Sequence, residues 1–304
     1  MTGNNDELTD LPTVSVIVPA YNAENNIGNL IESLLELDYP PELLELIMVD
    51  NNSTDRTKEI IEKYPVKLLE ENDIQSSYAA RNKGIKHARG EIIAFTDSDC
   101  IATKQWVREG VRVLISENAD LVGGRVEFIY SQKKTCAELY DSMTNMQIES
   151  NIKERNVAKT ANLFSKSNVF NEMGMFPDGV KSGGDVQWTA KATKSGYSLV
   201  YAPKAVIKHP ARPLIPLLSK QYRVGKGMAH IRIKEKKTVR RLILSTYRLF
   251  YPPKLSSIEK LIYERGKQDM IKKKVGIWFV SYLCDISTAL GILVATPGLK
   301  YDVK

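Results

Sequence analysis

From residue 13 to about residue 130, short β-branched apolar runs alternate with segments whose apolar residues recur at helical spacing. This alternation constrains the fold more than any other feature of the chain. The runs at 14–18, 44–49, 66–69 and 92–96 predict strands. Ile27, Leu30, Ile31, Leu34 and Leu35 share one helical face. Ser53 or Thr54 opens a second helix to about Lys63, and 77–88 and 104–116 predict two more. This βαβα order implies an α/β fold, a mostly parallel sheet flanked by helices on both faces. Ligands of such sheets bind beyond the carboxyl ends of the strands. From Leu121 the rhythm changes. Strands are expected at 121–130, 160–164, 198–202 and 205–208, and helices at 136–149 and at 185–194, the latter capped by Asp185. After Pro213 come basic helices, broken at Tyr251-Pro252-Pro253.

The 304 residues suffice for one large or two modest domains with a real core. The patterns place a polar tail at 1–12, an α/β domain at 13–212 with halves at 13–100 and 101–212, and a basic helical region at 213–304. Cys100, Cys136 and Cys284 form no C-x-x-C pair. Neither a disulfide framework nor a zinc knuckle is expected, and a reducing compartment fits. The acidic start of the chain lacks the apolar core of a signal peptide.

A net charge of +7 hides an asymmetry. Residues 204–274 hold 20 Lys and Arg against 4 Asp and Glu, a net of +16, which leaves −9 for the rest. Residues 275–296 follow, 22 residues with one charge, Asp285. That length just reaches across a bilayer. Its Asp, Ser and Thr residues favour instead a helix lying in the interface, or packed on the domain. The basic stretch before it suits anionic headgroups, so the expected location is the cytoplasmic face of a membrane, peripheral or with one C-terminal membrane-interacting helix. The apolar neighbour favours lipid over nucleic acid as the partner of the basic run.

The sharpest motif is Asp97-Ser98-Asp99, just after the apolar run 92–95. Paired carboxylates at the end of a buried strand are costly unless a cation neutralises them. In extended chain residues i and i+2 point the same way, so both can serve one site. Mg2+ or Mn2+ prefers such oxygens and bridges them to substrate phosphates. An Asx-type turn is the plainer use of the same residues. The strand closed by Pro19 delivers Tyr21 and Asn22 beyond the sheet, where the Tyr21 ring can stack on a nucleobase or pack in the turn. Asp50 can accept the ring N–H of a uracil or cap the loop that holds Asn52. Asp55 fits a helix amino end better than a ligand contact. Arg81 can reach a phosphate or base, or pair with a carboxylate. Gly183-Gly184-Asp185 brings backbone close and presents a carboxylate at a helix start, as a cap or as a general base. Trp188, one turn on, is a platform for a sugar face or ordinary core. His209 is a third metal ligand or a satisfied histidine.

In their order and spacing, Pro19-Ala20-Tyr21-Asn22, the stretch at 49–55, Ala80-Arg81-Asn82, Asp97-Ser98-Asp99 and Gly183-Gly184-Asp185 resemble the inverting GT-A glycosyltransferases of family 2, over roughly residues 13–210. The resemblance implies a nucleotide-binding half at 13–100 and an acceptor half at 101–212. Pro19, Tyr21, Asn22, Asp50, Asn52, Arg81 and Asp97 would hold the nucleotide, with Tyr21 and Asp50 on the base. Asp99, with Asp97 and His209, would hold Mn2+ or Mg2+, and Asp185 would be the base. Gly183, Gly184 and Trp188 would face the acceptor. The expected reaction moves one sugar from a nucleotide-sugar, UDP above GDP or dTDP, to a hydroxyl of a glycan or lipid-linked acceptor. The processive members carry Q-x-x-R-W; here only Gln221-Tyr222-Arg223 stands, without the tryptophan, which favours single transfers. Two rivals are a nucleotidyltransferase, which needs a Gly-rich basic loop absent after the first strand, and a non-catalytic nucleotide-binding protein of the membrane surface.

Overall fold

The structure, a computed structural model, describes residues 11–234 and 239–296. Most of the expected tail at 1–12, four residues of the basic run and the last eight residues lie outside it. The chain opens with β1 (Val14–Ala20), α1 (Ile27–Leu35), β2 (Leu44–Asp50), α2 (Thr57–Ile61), β3 (Lys67–Glu70), α3 (Ser77–His87) and β4 (Ile92–Thr96). It continues with β5 (Ile101–Ala102), α4 (Trp106–Ser116), β6 (Leu121–Ile129), α5 (Cys136–Thr144), α6 (Ile148–Arg155), β7 (Asn162–Lys166), α7 (Ser167–Met173), α8 (Gly184–Lys194) and β8 (Leu199–Pro210). Four helices follow: α9 (Leu214–Lys234), α10 (Val239–Tyr247), α11 (Leu255–Glu264) and α12 (Lys274–Ala295). The chain divides into two compact units. The first runs to Glu127 and takes in Ile148–Gly179 and Asp185–His209. The second comprises Phe128–Gln147, Val180–Gly184 and the chain from Pro210 onward.

One eight-stranded sheet runs in the order β3-β2-β1-β4-β7-β6-β8-β5. The first four strands are parallel, as the βαβα order predicts, and β7 turns the sheet antiparallel against β4. Every residue of β1 is buried, which is why it reads as an apolar run broken only by Ser15 rather than as an alternating one. The strand extends through Pro19 to Ala20 instead of closing at the proline. The Ala20 carbonyl accepts from Asn51 on the β2 side, so Pro19 faces the β4 side. There the pairing has already ended at Ile17 and Phe95, and the missing N–H leaves no ladder bond unmade. Ile27, Leu30, Ile31 and Leu34 of α1 join the main core, each stabilising the fold by about 1.5–3 kcal/mol. Leu35 is exposed.

Three expectations change in detail. The helix expected from Ser53 begins only at Thr57, because residues 53–55 are tied to Asn22 and Glu24 by hydrogen bonds. The helix expected at 136–149 is two helices, α5 and α6, parted at Met146, whose φ of 52° no helix accommodates. The two strands expected at 198–202 and 205–208 are one twelve-residue strand, β8, which carries Pro203 within it.

The second unit gathers α5 with the C-terminal helices. Leu139 and Met143 of α5 pack with Ile258, Ile262, Met270 and Ile277, and Ala137 packs with Leu217, Val280 and Cys284. Thr135 and Glu138 close a capping box at the start of α5. Burial alone raises the Glu138 pKa, but hydrogen bonds from Ser131 and Thr135 more than reverse this and lower it to about 2. Helices α9 and α12 meet backbone to backbone. A Cβ on Gly225 would come 2.2 Å from the Thr288 carbonyl oxygen, and one on Gly291 would come 2.1 Å from that of Tyr222. The opposite side of α12 leaves Val275, Phe279, Leu290 and Val294 exposed. At 3.6 residues per turn these fall within an arc of roughly 100°. Among the described residues, α12 lies in the one helix long and apolar enough to cross a membrane.

Candidate active site

The carboxyl ends of β1, β2 and β4 stand side by side, since Ala20 pairs with Asp50 and Ile17 with Phe95. Beyond β1, Tyr21 is half exposed and Asn22 sits in the left-handed region with φ 47°. The Asn22 side-chain oxygen accepts from the Thr54 N–H at 2.9 Å, and its own N–H donates to Ser53 Oγ at 3.0 Å. The loops after β1 and β2 are thereby locked together. Asn52, also left-handed with φ 63°, is exposed in the second loop. Asp55 accepts from the backbone N–H groups of Glu24 and Thr57. Desolvation raises its pKa, but these bonds and one from the Thr57 hydroxyl together outweigh it and lower the pKa. Asp55 is thus a helix-entry acid, as its residue type suggests.

Asp50 differs. It is 4% exposed at the end of β2, and only Oδ2 is used, accepting from the Ser53 N–H at 3.1 Å. Oδ1 is buried without a hydrogen-bond partner. A buried carboxylate oxygen left unpaired costs stability unless a donor comes to it from outside the chain.

Asp97 and Asp99 do not lie in extended chain. The Asp97 carbonyl accepts from the Cys100 N–H, closing a turn, and the two carboxylates take different partners. Asp97 pairs with the Arg81 guanidinium, which is 3% exposed on α3. Asp99 faces His209, with Oδ2 3.5 Å from Nε2. The β5–β8 register, Ile101 with Lys208, carries His209 to the turn from more than a hundred residues away. Asp99, Cys100 and His209 offer atoms within 4.8 Å of one another. Burial first, then the charges of Asp99 and Asp97, push the Cys100 thiol well above its ordinary pKa. A carboxylate oxygen such as that of Asp99 suits a hard ion such as Mn2+ or Mg2+, the His209 imidazole can complete such a site, and the Cys100 thiol suits softer ions.

Asp185 lies in the first turn of α8 rather than capping it, since the helix starts at Gly184. The chain reaches it through Gly183, whose φ of 81° suits glycine. Its Oδ1 accepts from the Tyr78 hydroxyl at 3.0 Å, and its Oδ2 accepts from the Thr160 N–H at 3.2 Å. The Val186 N–H also donates to Oδ1 at 2.9 Å, and sequence reasoning missed Tyr78 and Thr160 as partners. Tyr78 stands three residues before Arg81 on the same helix, which marks it as near the site but not as a partner of Asp185; Thr160 had no signal at all. Trp188 is a correction. It is 3% exposed, stacks on Phe170 at 4.4 Å and donates its ring N–H to the Gly174 carbonyl, so its face is closed to a sugar. A cavity of about 520 Å³ lies at the opposite, amino ends of β1 and β2, beside Glu45 and Arg89. Both Glu45 oxygens are already taken by Ser15, Lys67 and Arg89, so this cavity offers no comparable chemistry.

Residues 15–173 match the family described as Glycosyl transferase family 2. The chain is similar to Glycosyltransferase AglE of Haloferax volcanii, 46% identical over 76% of this chain and 78% of that protein. It is also similar to the poly(ribitol-phosphate) beta-N-acetylglucosaminyltransferase TarS of Staphylococcus aureus, 31% identical over 59% of this chain but only 32% of that protein. In fold it resembles the mannosyltransferase PcManGT from Pyrobaculum calidifontis in complex with GDP-Man and Mn2+. The TM-score is 0.64 at 21% identity, covering 94% of this chain and 88% of that one. S. aureus TarS 1-349 in complex with UDP-GlcNAc follows with a TM-score of 0.55 at 19% identity, covering 95% and 93%.

Proposed function

The chain belongs to glycosyl transferase family 2 and has a GT-A fold, and from that premise we propose that it moves one sugar from a nucleotide-sugar to an acceptor hydroxyl with inversion. The observation that carries this reading is Asp50, a buried carboxylate at a strand's carboxyl end with one oxygen unpaired. A uracil or guanine ring N–H is a donor of the right kind for it, and Tyr21 is exposed to stack on the base. The relatives agree in class, since GDP-Man and UDP-GlcNAc accompany the two solved structures. Pro19, Asn22 and Asn52 shape the same loops. Arg81 orients Asp97 toward the ribose.

Asp99 and His209 would hold Mn2+ or Mg2+, and the ion when bound supplies positive charge against the leaving diphosphate. Asp185 takes the acceptor proton as the hydroxyl attacks the anomeric carbon on the face opposite the diphosphate. One displacement inverts the configuration. Gly183 and Gly184 keep the chain before Asp185 free of side chains, which leaves room for a glycan or lipid-linked acceptor. The basic residues of the second unit and the apolar stripe of α12 seat the protein on an anionic membrane surface at its cytoplasmic face.

The test is donor hydrolysis. The protein is incubated with Mn2+ and UDP-glucose, UDP-GlcNAc or GDP-mannose, and released nucleoside diphosphate is measured. At least one donor is hydrolysed slowly, and EDTA stops it. Release from none of a full panel of nucleotide-sugars defeats the transferase reading.

A further inference from the structure

Helix α3 carries a second polar group that the reaction scheme has not used. Tyr78 is 5% exposed, and its hydroxyl donates to Asp185 Oδ1 at 3.0 Å. The other oxygen, Oδ2, accepts from the Thr160 N–H at 3.2 Å. A carboxylate held at Oδ1 by the Tyr78 hydroxyl together with the Val186 N–H of its own helix, and at Oδ2 by backbone from another segment, cannot rotate about its last bond without breaking one of these bonds.

The tyrosine is itself held on all sides. Ser76 caps α3 and accepts from the Tyr78 N–H, fixing the backbone at the helix start. The ring lies 6.1 Å from the Phe176 ring, and Asn82 clamps the Phe176 backbone with two hydrogen bonds of 2.8 and 3.0 Å. The Arg81 guanidinium stands 5.8 Å from the ring centre and pairs with Asp97 beyond it. Burial, and then the charge of Asp185, push the Tyr78 hydroxyl above its ordinary pKa, so it donates throughout the working pH range. Buried tyrosines need only some acceptor for the hydroxyl. This one uses an acidic side chain 107 positions away, one turn of helix from the arginine on the nucleotide side.

We propose that Tyr78 is a positioning residue for the reaction, aiming the Asp185 carboxylate at the acceptor hydroxyl. The inference rests on the reading of Asp185 as the base. Through it, α3 serves both ends of the transfer, with Arg81 acting on Asp97 and Tyr78 on the base. A general base works only within hydrogen-bond reach of the proton it takes, so loss of aim lowers turnover without lowering donor affinity.

The test uses the full chain and the donor it hydrolyses fastest, with water as acceptor. Tyr78→Phe is compared with Asp185→Asn and with the double variant, and each is checked for UDP affinity and melting temperature. Tyr78→Phe lowers kcat about 10-fold, the loss of one hydrogen bond to a charged acceptor, with donor KM and UDP affinity within about twofold. In the Asp185→Asn background the same change costs nothing further, because the hydroxyl acts through the carboxylate. A packing role predicts instead the same factor in both backgrounds, and that result overturns the proposal. So does an unchanged kcat in Tyr78→Phe while Asp185→Asn is impaired, which leaves the base assignment standing. Wild-type turnover in Asp185→Asn removes the base assignment and this inference together.

Discussion

The carboxyl edge of the parallel strands and the C-terminal helix α12 depart from ordinary burial in opposite directions. At the strand ends the departures are polar groups inside: Asp50 at 4% exposure with an unpaired oxygen, Arg81 at 3%, and His209 at 0% beside Asp99. On α12 they are apolar groups outside: Val275 and Val294 at 60% and 58%. A buried carboxylate oxygen without a partner, as at Asp50, calls for a small, directional ligand, because hydrogen bonds and charges are satisfied one by one. Exposed apolarity in a continuous stripe implies an extended, non-directional partner, because the hydrophobic effect counts area and not geometry. Under the proposed function, the first kind of departure serves chemistry and the second location.

Three experiments test this contrast, the largest expected effect first. Asp99→Asn lowers donor turnover by about 100-fold or more, the scale of losing charge stabilisation at a leaving group. It also abolishes any Mn2+-dependent rise in melting temperature caused by UDP. Retention of that rise separates Asp99 from the ion and breaks the directional half of the contrast. Gly291→Ala is next. A methyl there meets the Tyr222 carbonyl, so α9 and α12 must part, at a cost of about 1–3 kcal/mol in stability. Denaturant unfolding reads this directly, and an unchanged midpoint shows that the helix pair tolerates the added bulk. The smallest effect on the fold comes from Phe279→Glu, within about 0.5 kcal/mol, since the side chain is exposed. Its consequence lies elsewhere. The parent chain stays on anionic vesicles in high salt, whereas the variant is released, because salt screens the basic residues but not apolar burial. If both sediment equally with vesicles at every salt concentration, the α12 stripe is not the membrane-facing surface.

Much of the candidate site was legible because its residues sit where strand ends deliver them. Asp50, Asp97 and Asp99 follow apolar runs, and a carboxylate after a buried strand is readable from local pattern alone. Tyr78 and Thr160 were not legible as partners of Asp185, since nothing local marks which buried hydroxyl or amide will meet a carboxylate 107 or 25 residues away. Trp188 was misread for a related reason. A tryptophan one turn after an acid looks the same in sequence whether its ring meets a ligand or, as here, Phe170 and Phe176.

What the sequence by itself determined was the alternation of strands and helices, the parallel half of the sheet, and the apolar character of the last helix. These depend on periodicity and composition, which are properties of contiguous residues. What only the tertiary structure decided was the pairing across distance. The β5–β8 register set His209 against Asp99, a hydroxyl from α3 fixed the carboxylate of α8, and the α9–α12 contact chose which side of an almost uniformly apolar helix stays exposed. Such pairings depend on how elements pack and in what register, and a chain's local pattern is compatible with many of them until the core closes.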